Sequence, residues 1–285
     1  MSFFKIAAIQ MPVAGKSENL SAMRQHLDSV MRRFPAVQMV IFSELCAYAA
    51  DKSKAQERGG EVEQLFCEMA ARHQIWLIPG SVYERDGEHL YNSAPVINPQ
   101  GKIVTRYRKM FPFLPYETGV QAGSEFCVFD VPDVGRFGVS ICYDKWFPET
   151  TRTMALMGAE VILHPTMTDT IDRDLELSIA RTNAAVNQCY FFDVNGVGDC
   201  GNGRSVIIGP AGDVIHQAGI GFEIMPIEID FNRVRRERDK GMMMLGQPLK
   251  SFRDRPINFS TAQNTDEIND YLATLGPIVK PTRSS

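Results

Sequence analysis

Two long stretches of this chain run through the same order of elements: strand, helix, strand, helix and then three strands. No other feature restricts the fold so tightly. In the first stretch residues 5–10 (KIAAIQ) read as a strand, and residues 17–33 carry Leu20, Met23, Leu27, Val30 and Met31 on one helical stripe. Residues 37–43 (VQMVIFS) are a short, nearly continuous apolar run, which suits a buried strand. Residues 61–73 read as a helix, with Val62, Leu65, Phe66, Met69 and Ala70 at spacings of three and four. Residues 75–83 read as a strand, and Asp86-Gly87 marks a hairpin. Residues 90–98 and 102–108 are two more strands around the turn Asn98-Pro99-Gln100-Gly101. The second stretch repeats the order. Strands at 138–141 and 160–165 alternate with helices at 148–157 and 175–187, and strands at 190–195, 204–208 and 213–217 follow. Pro148 and Glu149 occupy the positions that helix starts favour. Residues 96–104 and 207–215 share one pattern, an apolar pair, a Pro-x-Gly turn and a second strand.

Helices that alternate with buried strands place helices outside and sheets inside. Two such halves packed sheet against sheet predict an α/β fold, a four-layer αββα sandwich. No linker rich in Gly, Ser or Pro separates the halves, so one domain is expected over residues 1–240. Residues 231–240 read as a charged helix, and residues 241–285 as a tail interrupted by Gly246, Pro248, Pro256, Pro277 and Pro281.

Composition excludes several kinds of protein. The formal net charge of the 285 residues is -4, with both signs mixed and no long basic run, which argues against a nucleic-acid partner. No stretch approaches the ~18 consecutive apolar residues that a membrane span needs. Residues 1–10 carry one lysine and then a strand-like run, without the parts of a signal peptide, so a cytoplasmic protein is expected. Cys46, Cys67, Cys127, Cys142, Cys189 and Cys200 are scattered, with no C-x-x-C pair. His26, His73, His89, His164 and His216 form no close pair at metal-ligand spacing, which disfavours zinc.

Three segments can carry chemistry. In residues 138–149 (GVSICYDKWFPE) an apolar strand ends at Cys142 and a helix begins shortly after. Such strand ends expose side chains at active sites, so Cys142 reads as a nucleophile or as a buried cysteine closing a strand. In residues 40–45 (VIFSEL) another apolar strand ends at Glu44. A carboxylate partly desolvated there has a raised pKa suited to a general base, and the alternative is a surface glutamate at a loop start. In residues 105–112 (TRYRKMFP) Lys109 ends a strand, where an ammonium can favour a thiolate or hold an oxyanion. Arg106 and Arg108 read as a basic, solvated strand edge, and Glu117 either positions Lys109 or caps the next turn.

With these residues in that order, the chain resembles the nitrilase superfamily of carbon–nitrogen hydrolases. Glu44, Lys109 and Cys142 look like its Glu-Lys-Cys triad, and the local wording is similar: Tyr107-Arg108-Lys109 before Phe111-Pro112, and Cys142-Tyr143-Asp144 with Phe147-Pro148-Glu149. Gly203-Arg204-Ser205 with Pro210-Ala211-Gly212 resembles a late hairpin of that family. Val186 stands where the family often has Glu, beside Arg181 and Asn187. The resemblance covers roughly residues 4–230 and implies the same four-layer αββα sandwich. It implies Cys142 as nucleophile, Glu44 as base, Lys109 and the Tyr143 backbone N–H as oxyanion donors, and Glu117 as a second glutamate orienting the site. It implies no metal and no organic cofactor. Tyr143-Asp144 after the cysteine is similar to the amidase and carbamoylase branches, so a small aliphatic amide is the expected substrate and an N-carbamoyl amine or amino acid the alternative. Tyr143 and Trp146 are candidates for substrate binding through closeness to the cysteine, or are core packing instead.

Two rival functions fit parts of the sequence. Residues 196–201 (GVGDCG) fit G-x-G-x-x-G, but a strand pattern follows where a dinucleotide site needs a helix. A binding protein that keeps the sandwich without catalysis is the other, and the intact triad argues against it. Met242-Met243-Met244-Leu245 is an apolar cluster that marks a contact surface or packs on its own domain. Family resemblance implies a homodimer or larger assembly, with the tail at the interface.

Overall fold

Side chains alternating along the central strands sort the apolar residues into three buried layers. The first strand, β1 (Phe3–Gln10), sends Phe4, Ile6 and Ala8 into one core and Ala7 and Ile9 into another. The computed structural model that shows this describes residues 2–255, 257 and 266–280. The first half continues with β2 (Pro12–Val13), α1 (Leu20–Arg33), β3 (Met39–Phe42), β4 (Gln56–Glu57), α2 (Glu61–His73), β5 (Trp76–Ile78), β6 (Val82–Asp86), β7 (His89–Ile97) and β8 (Ile103–Arg108). The second half comprises β9 (Cys127–Val131), β10 (Gly135–Val139), α3 (Pro148–Leu156), β11 (Val161–Pro165), α4 (Arg173–Asn187), β12 (Tyr190–Val194), β13 (Val197–Gly198), β14 (Val206–Ile208) and β15 (Val214–Gln217). Then come β16 (Glu223–Asp230), α5 (Phe231–Lys240), α6 (Pro248–Asp254) and α7 (Asp266–Ala273).

One sheet runs β16-β1-β3-β5-β7-β6-β4, with β8 on β7, and the other runs β15-β14-β12-β11-β10-β9. The centres are parallel: β1 with β3 and β3 with β5, and likewise β10 with β11 and β11 with β12. The layer between the sheets holds Ile6, Met39, Ile41, Phe137, Val139, Val161, Leu163 and Phe192. Helices α1 and α2 cover the first sheet through Met23, Leu27, Phe66 and Met69, and α3 and α4 cover the second through Met154, Leu177, Ala180 and Ala184. Helix, sheet, sheet, helix is the expected αββα order.

The halves match more closely than the sequence indicated. An antiparallel strand borders the leading strand of each half, β16 beside β1 and β9 beside β10. Neither was read from the sequence. In β16 only Met225 and Ile229 are buried, so this edge strand has no long apolar run to announce it. The strand expected over residues 75–83 is two strands, broken at Pro79-Gly80-Ser81. Gly80 has φ +77°, and a Cβ there would lie 1.9 Å from the Ser43 carbonyl oxygen, so only glycine lets this loop approach the end of β3.

The segment read as a tail contains helix α6, and the Arg152 guanidinium lies over the Phe252 ring. Residues 256, 258–265 and 281–285 of that segment, including Pro256 and Pro281, lie outside the described residues. Met243, Met244 and Leu245 are exposed. The glycine loop at 196–201 leads through β13 into β14 and opens no helix, which removes the dinucleotide-site reading. Among the described residues no helix is long and apolar enough to cross a membrane.

Candidate active site

The ends of three strands meet where the sheets face each other. Glu44 follows β3, Lys109 follows β8, and Cys142 follows β10 in the first turn of a short 3-10 helix, Cys142–Trp146. The Glu44 N–H donates to the Thr166 carbonyl at 3.2 Å and so ties the end of β3 to the end of β11 in the other sheet. Lys109 is fixed through its backbone: its N–H donates to Asn92 O, and its carbonyl accepts from Gly123 N–H, both at 2.8 Å.

The Lys109 side chain is 1% exposed. Its Nζ lies 2.9 Å from Glu44 Oε1 and 2.7 Å from Glu117 Oε2. Asn92 Nδ2 donates to both carboxylates, at 2.8 Å to Glu44 and 3.0 Å to Glu117, and the Phe113 N–H donates to Glu117 at 2.7 Å. The carboxylates therefore share an ammonium and an amide. Burial works against the Lys109 charge, but Glu44, the Cys142 sulfur and Glu117 outweigh it and hold the pKa well above the usual lysine range. Glu44 goes the other way. Burial is its largest influence and raises its pKa, although Lys109 and a hydrogen bond with Cys142 pull it down. Glu117 sits below the ordinary range, because Lys109 and its backbone and Asn92 donors overcome burial. Two nearby carboxylates thus differ in proton affinity, the arrangement that separates a base from a fixed counter-ion.

Cys142 is 8% exposed and has φ +49°, an unusual backbone for a residue with a Cβ. Neighbouring groups impose that turn. Asp144 accepts from the Ile141 N–H at 2.8 Å, the Tyr107 hydroxyl at 2.7 Å and the Phe111 N–H at 2.9 Å. Burial lifts the Asp144 pKa to about 6 against those donors. His164 is fully buried, with Nε2 3.1 Å from the Cys142 carbonyl and Nδ1 2.7 Å from Ser140 Oγ. Burial and the Lys145 charge lower its pKa to about 3, so the ring is neutral. A carbonyl only accepts, so Nε2 carries the hydrogen and Ser140 donates to Nδ1. The thiol itself is pushed up, first by burial and then by Glu44, with Lys109 opposing. Burial thus favours the thiol form of Cys142, which lies beside Glu44 and the Lys109 ammonium.

The structure thus brings Glu44, Lys109, Glu117 and Cys142 together. Glu44 is no surface residue, and Glu117 contacts Lys109 directly. Tyr143 and Trp146 belong to an aromatic wall: the Tyr143 ring lies 5.0 Å from Phe113, 5.3 Å from Phe147 and 6.1 Å from Trp146. Arg106 and Arg108 are not a solvated edge. Arg106 pairs with Glu63 and Glu84, and Arg108 with Glu84 and Asp86, because buried Glu84 draws both guanidinium groups inward. Sequence reading missed Asn92, Asp144 and His164. The polar pair Asn92-Ser93 within an otherwise apolar strand was the available signal for the first.

A sandwich of two facing α/β layers, with a cysteine, a lysine and a glutamate gathered at its strand ends and a second glutamate reaching them from a loop, defines a hydrolase of the nitrilase superfamily. The chain belongs to the carbon-nitrogen hydrolase family, whose pattern it matches over residues 5–239, and is an enzyme of the amidase type. It is 26% identical over 258 residues to omega-amidase NIT2 of Homo sapiens, covering 84% of this chain and 93% of that one. It is 28% identical over 207 residues to a formamidase of Helicobacter acinonychis, covering 67% of this chain and 62% of the relative's length. The crystal structure of Saccharomyces cerevisiae Nit3, a member of branch 10 of the nitrilase superfamily, superposes with a TM-score of 0.76 at 25% identity, covering 84% of this chain and 94% of that one.

Proposed function

We propose that the protein hydrolyses a small aliphatic amide through a thioester on Cys142, releasing ammonia and a carboxylic acid. The observation that carries this reading is the Lys109 ammonium, buried between Glu44 and Glu117 beside the Cys142 thiol. Glu44 takes the thiol proton as Sγ attacks the amide carbon. Its raised pKa makes it a stronger base than an exposed carboxylate, and its hydrogen bond with Cys142 gives the proton a path. The oxyanion forms against the Lys109 ammonium and the Tyr143 N–H, which lies in the first turn of the short helix and has no acceptor within it. Glu44 then passes its proton to the departing nitrogen, and ammonia leaves as the C–N bond breaks. In the second half Glu44 takes a proton from water, the hydroxyl attacks the thioester, and the thiol is restored. Glu117 holds Lys109 in place as an anion throughout. Tyr143 and Trp146 flank the substrate entrance in this reading.

The amidase and formamidase names of the relatives support an amide substrate. The test is ammonia release from a panel of short amides. Wild type is expected to release it and Cys142→Ala is not, and activity that survives the substitution would remove the mechanism. The reaction is placed in the cytoplasm, supported by six cysteines that are all free. The active form is read as a homodimer or larger, supported by exposed Leu156, Met157, Met243, Met244 and Leu245. A monomeric mass by light scattering at micromolar concentration would contradict that.

A further inference from the structure

Beside the nucleophile the chain buries a second set of charges that the reaction above leaves unused. Lys145 Nζ lies 2.8 Å from Asp193 and 3.1 Å from Glu176, and Arg173 lies 3.0 Å from Glu176 and 2.9 Å from Asp193. None of these side chains is more than 4% exposed. Two cations and two carboxylates balance to zero. Such an array gives little stability that apolar packing would not give.

Glu176 adds to Glu44 in raising the Cys142 pKa. A short piece of chain links Glu176 and Cys142. The Met167 carbonyl lies 3.9 Å from Cys142 Sγ, and the hydroxyl of the next residue, Thr168, donates to Glu176 Oε2 at 2.8 Å. The Lys145 and Arg173 contacts fall on that same oxygen. Among the described residues no donor is bonded to Glu176 Oε1, although the residue is only 3% exposed. Oε1 is therefore the free oxygen of a carboxylate whose other oxygen is fully engaged, and it is not sealed from solvent, so a small ligand can reach it.

We propose that Glu176 Oε1 accepts a hydrogen bond from the acyl chain of the substrate, so that the enzyme selects small amides carrying a neutral O–H or N–H donor beyond the scissile carbonyl. The donor is neutral because Lys145 and Arg173 already bracket Glu176, and an ammonium arriving there would meet two cations. The proposal rests on the amidase reading and names its substrate class.

The test is calorimetric binding to the full-length Cys142→Ala protein of butanamide, 3-hydroxypropanamide and protonated 3-aminopropanamide, together with their next homologues. Members of each set differ only in the terminal methyl, hydroxyl or ammonium group. A hydrogen bond to a charged acceptor predicts that the hydroxyl compound binds about tenfold or more tighter than the methyl compound in at least one set. With Glu176→Ala added the ratio falls to about one, and with Glu176→Gln it falls between. The methyl compound is the reference within each variant, so general damage to the fold lowers both affinities and leaves the ratio unmoved. A ratio near one in the Cys142→Ala protein, a ratio unchanged by either substitution, tightest binding of the ammonium compound, or no binding of any amide would overturn the proposal. Preferential binding by a protein whose wild-type form turns over no amide would sink the hydrolysis reading and leave this one standing.

Discussion

Lys109 Nζ lies 2.9 Å from Glu44 Oε1 in a site where neither side chain is more than 2% exposed. Removing one partner of such a pair strands the other without water. Lys109→Met leaves Glu44 and Glu117 facing each other around an apolar group, and is expected to cost about 3–5 kcal/mol of stability. It also deletes an oxyanion donor, for a rate loss of about 100- to 1000-fold or more. Thermal unfolding and amide turnover of the same preparation check both. A variant as stable and active as wild type would show that the pair holds nothing together.

The two glutamates are predicted to differ. Glu44→Gln removes the base and should cut the rate by about 100- to 10,000-fold. Glu117→Gln should cost less, and chiefly in kcat, because Glu117 acts through Lys109. Its carboxylate oxygens serve the Phe113 N–H, Lys109 and Asn92, and an amide cannot accept all three. Steady-state kinetics on one amide distinguish the two. Equal losses would refute separate roles.

Glu44 also sets a pH dependence. Its pKa is raised by burial, so protonation removes the base at a pH above the ordinary carboxylate range. For an acid whose folded pKa is raised, the folded state binds the proton more tightly than the unfolded chain. Protonating Glu44 therefore stabilises the fold, and that contribution is lost as pH rises through the raised value. Asp144, with a pKa of about 6, behaves alike. The acid limb of kcat/KM is thus expected to fall while these two groups add stability. A rate that declines only below the ordinary carboxylate range would contradict the role given to Glu44.

Much of this was legible because strands advertise their ends. Apolar runs stopping at Glu44 and Cys142, with the Lys109 strand between them, put three ionisable groups at strand ends, and the repeated order of elements predicted that the sheets would face each other. What lay hidden depended on partners distant in sequence. Glu84 is an ordinary glutamate in a strand until folding sets it against Arg106 and Arg108, and His164 is one scattered histidine until its ring meets Ser140 and Cys142. The strand Glu223–Asp230 was invisible for a similar reason: its ladder with Phe3–Gln10 supplies the order that its sequence does not announce.

Asp144 gives a structural prediction. Asp144→Asn presents an amide nitrogen to one of three donors, Ile141 N–H, Phe111 N–H or the Tyr107 hydroxyl. Leaving a buried donor unpaired should cost about 1–3 kcal/mol. The turn at Cys142 should loosen with it, so turnover is expected to drop beyond the loss of folded protein. Denaturant unfolding and turnover per folded molecule check this, and unchanged stability would show that the turn does not depend on Asp144.

The central claim is that the acyl group of the substrate is carried on the sulfur of Cys142, and the mass of that residue during turnover tests it most directly. Wild-type protein is mixed with a short amide, quenched in acid within one turnover and mapped peptide by peptide. The peptide holding Cys142 is predicted to gain the mass of the acyl group, and the peptides holding the other five cysteines to gain nothing. Ammonia release with Cys142 unmodified, or with the acyl group on another residue, would contradict the account.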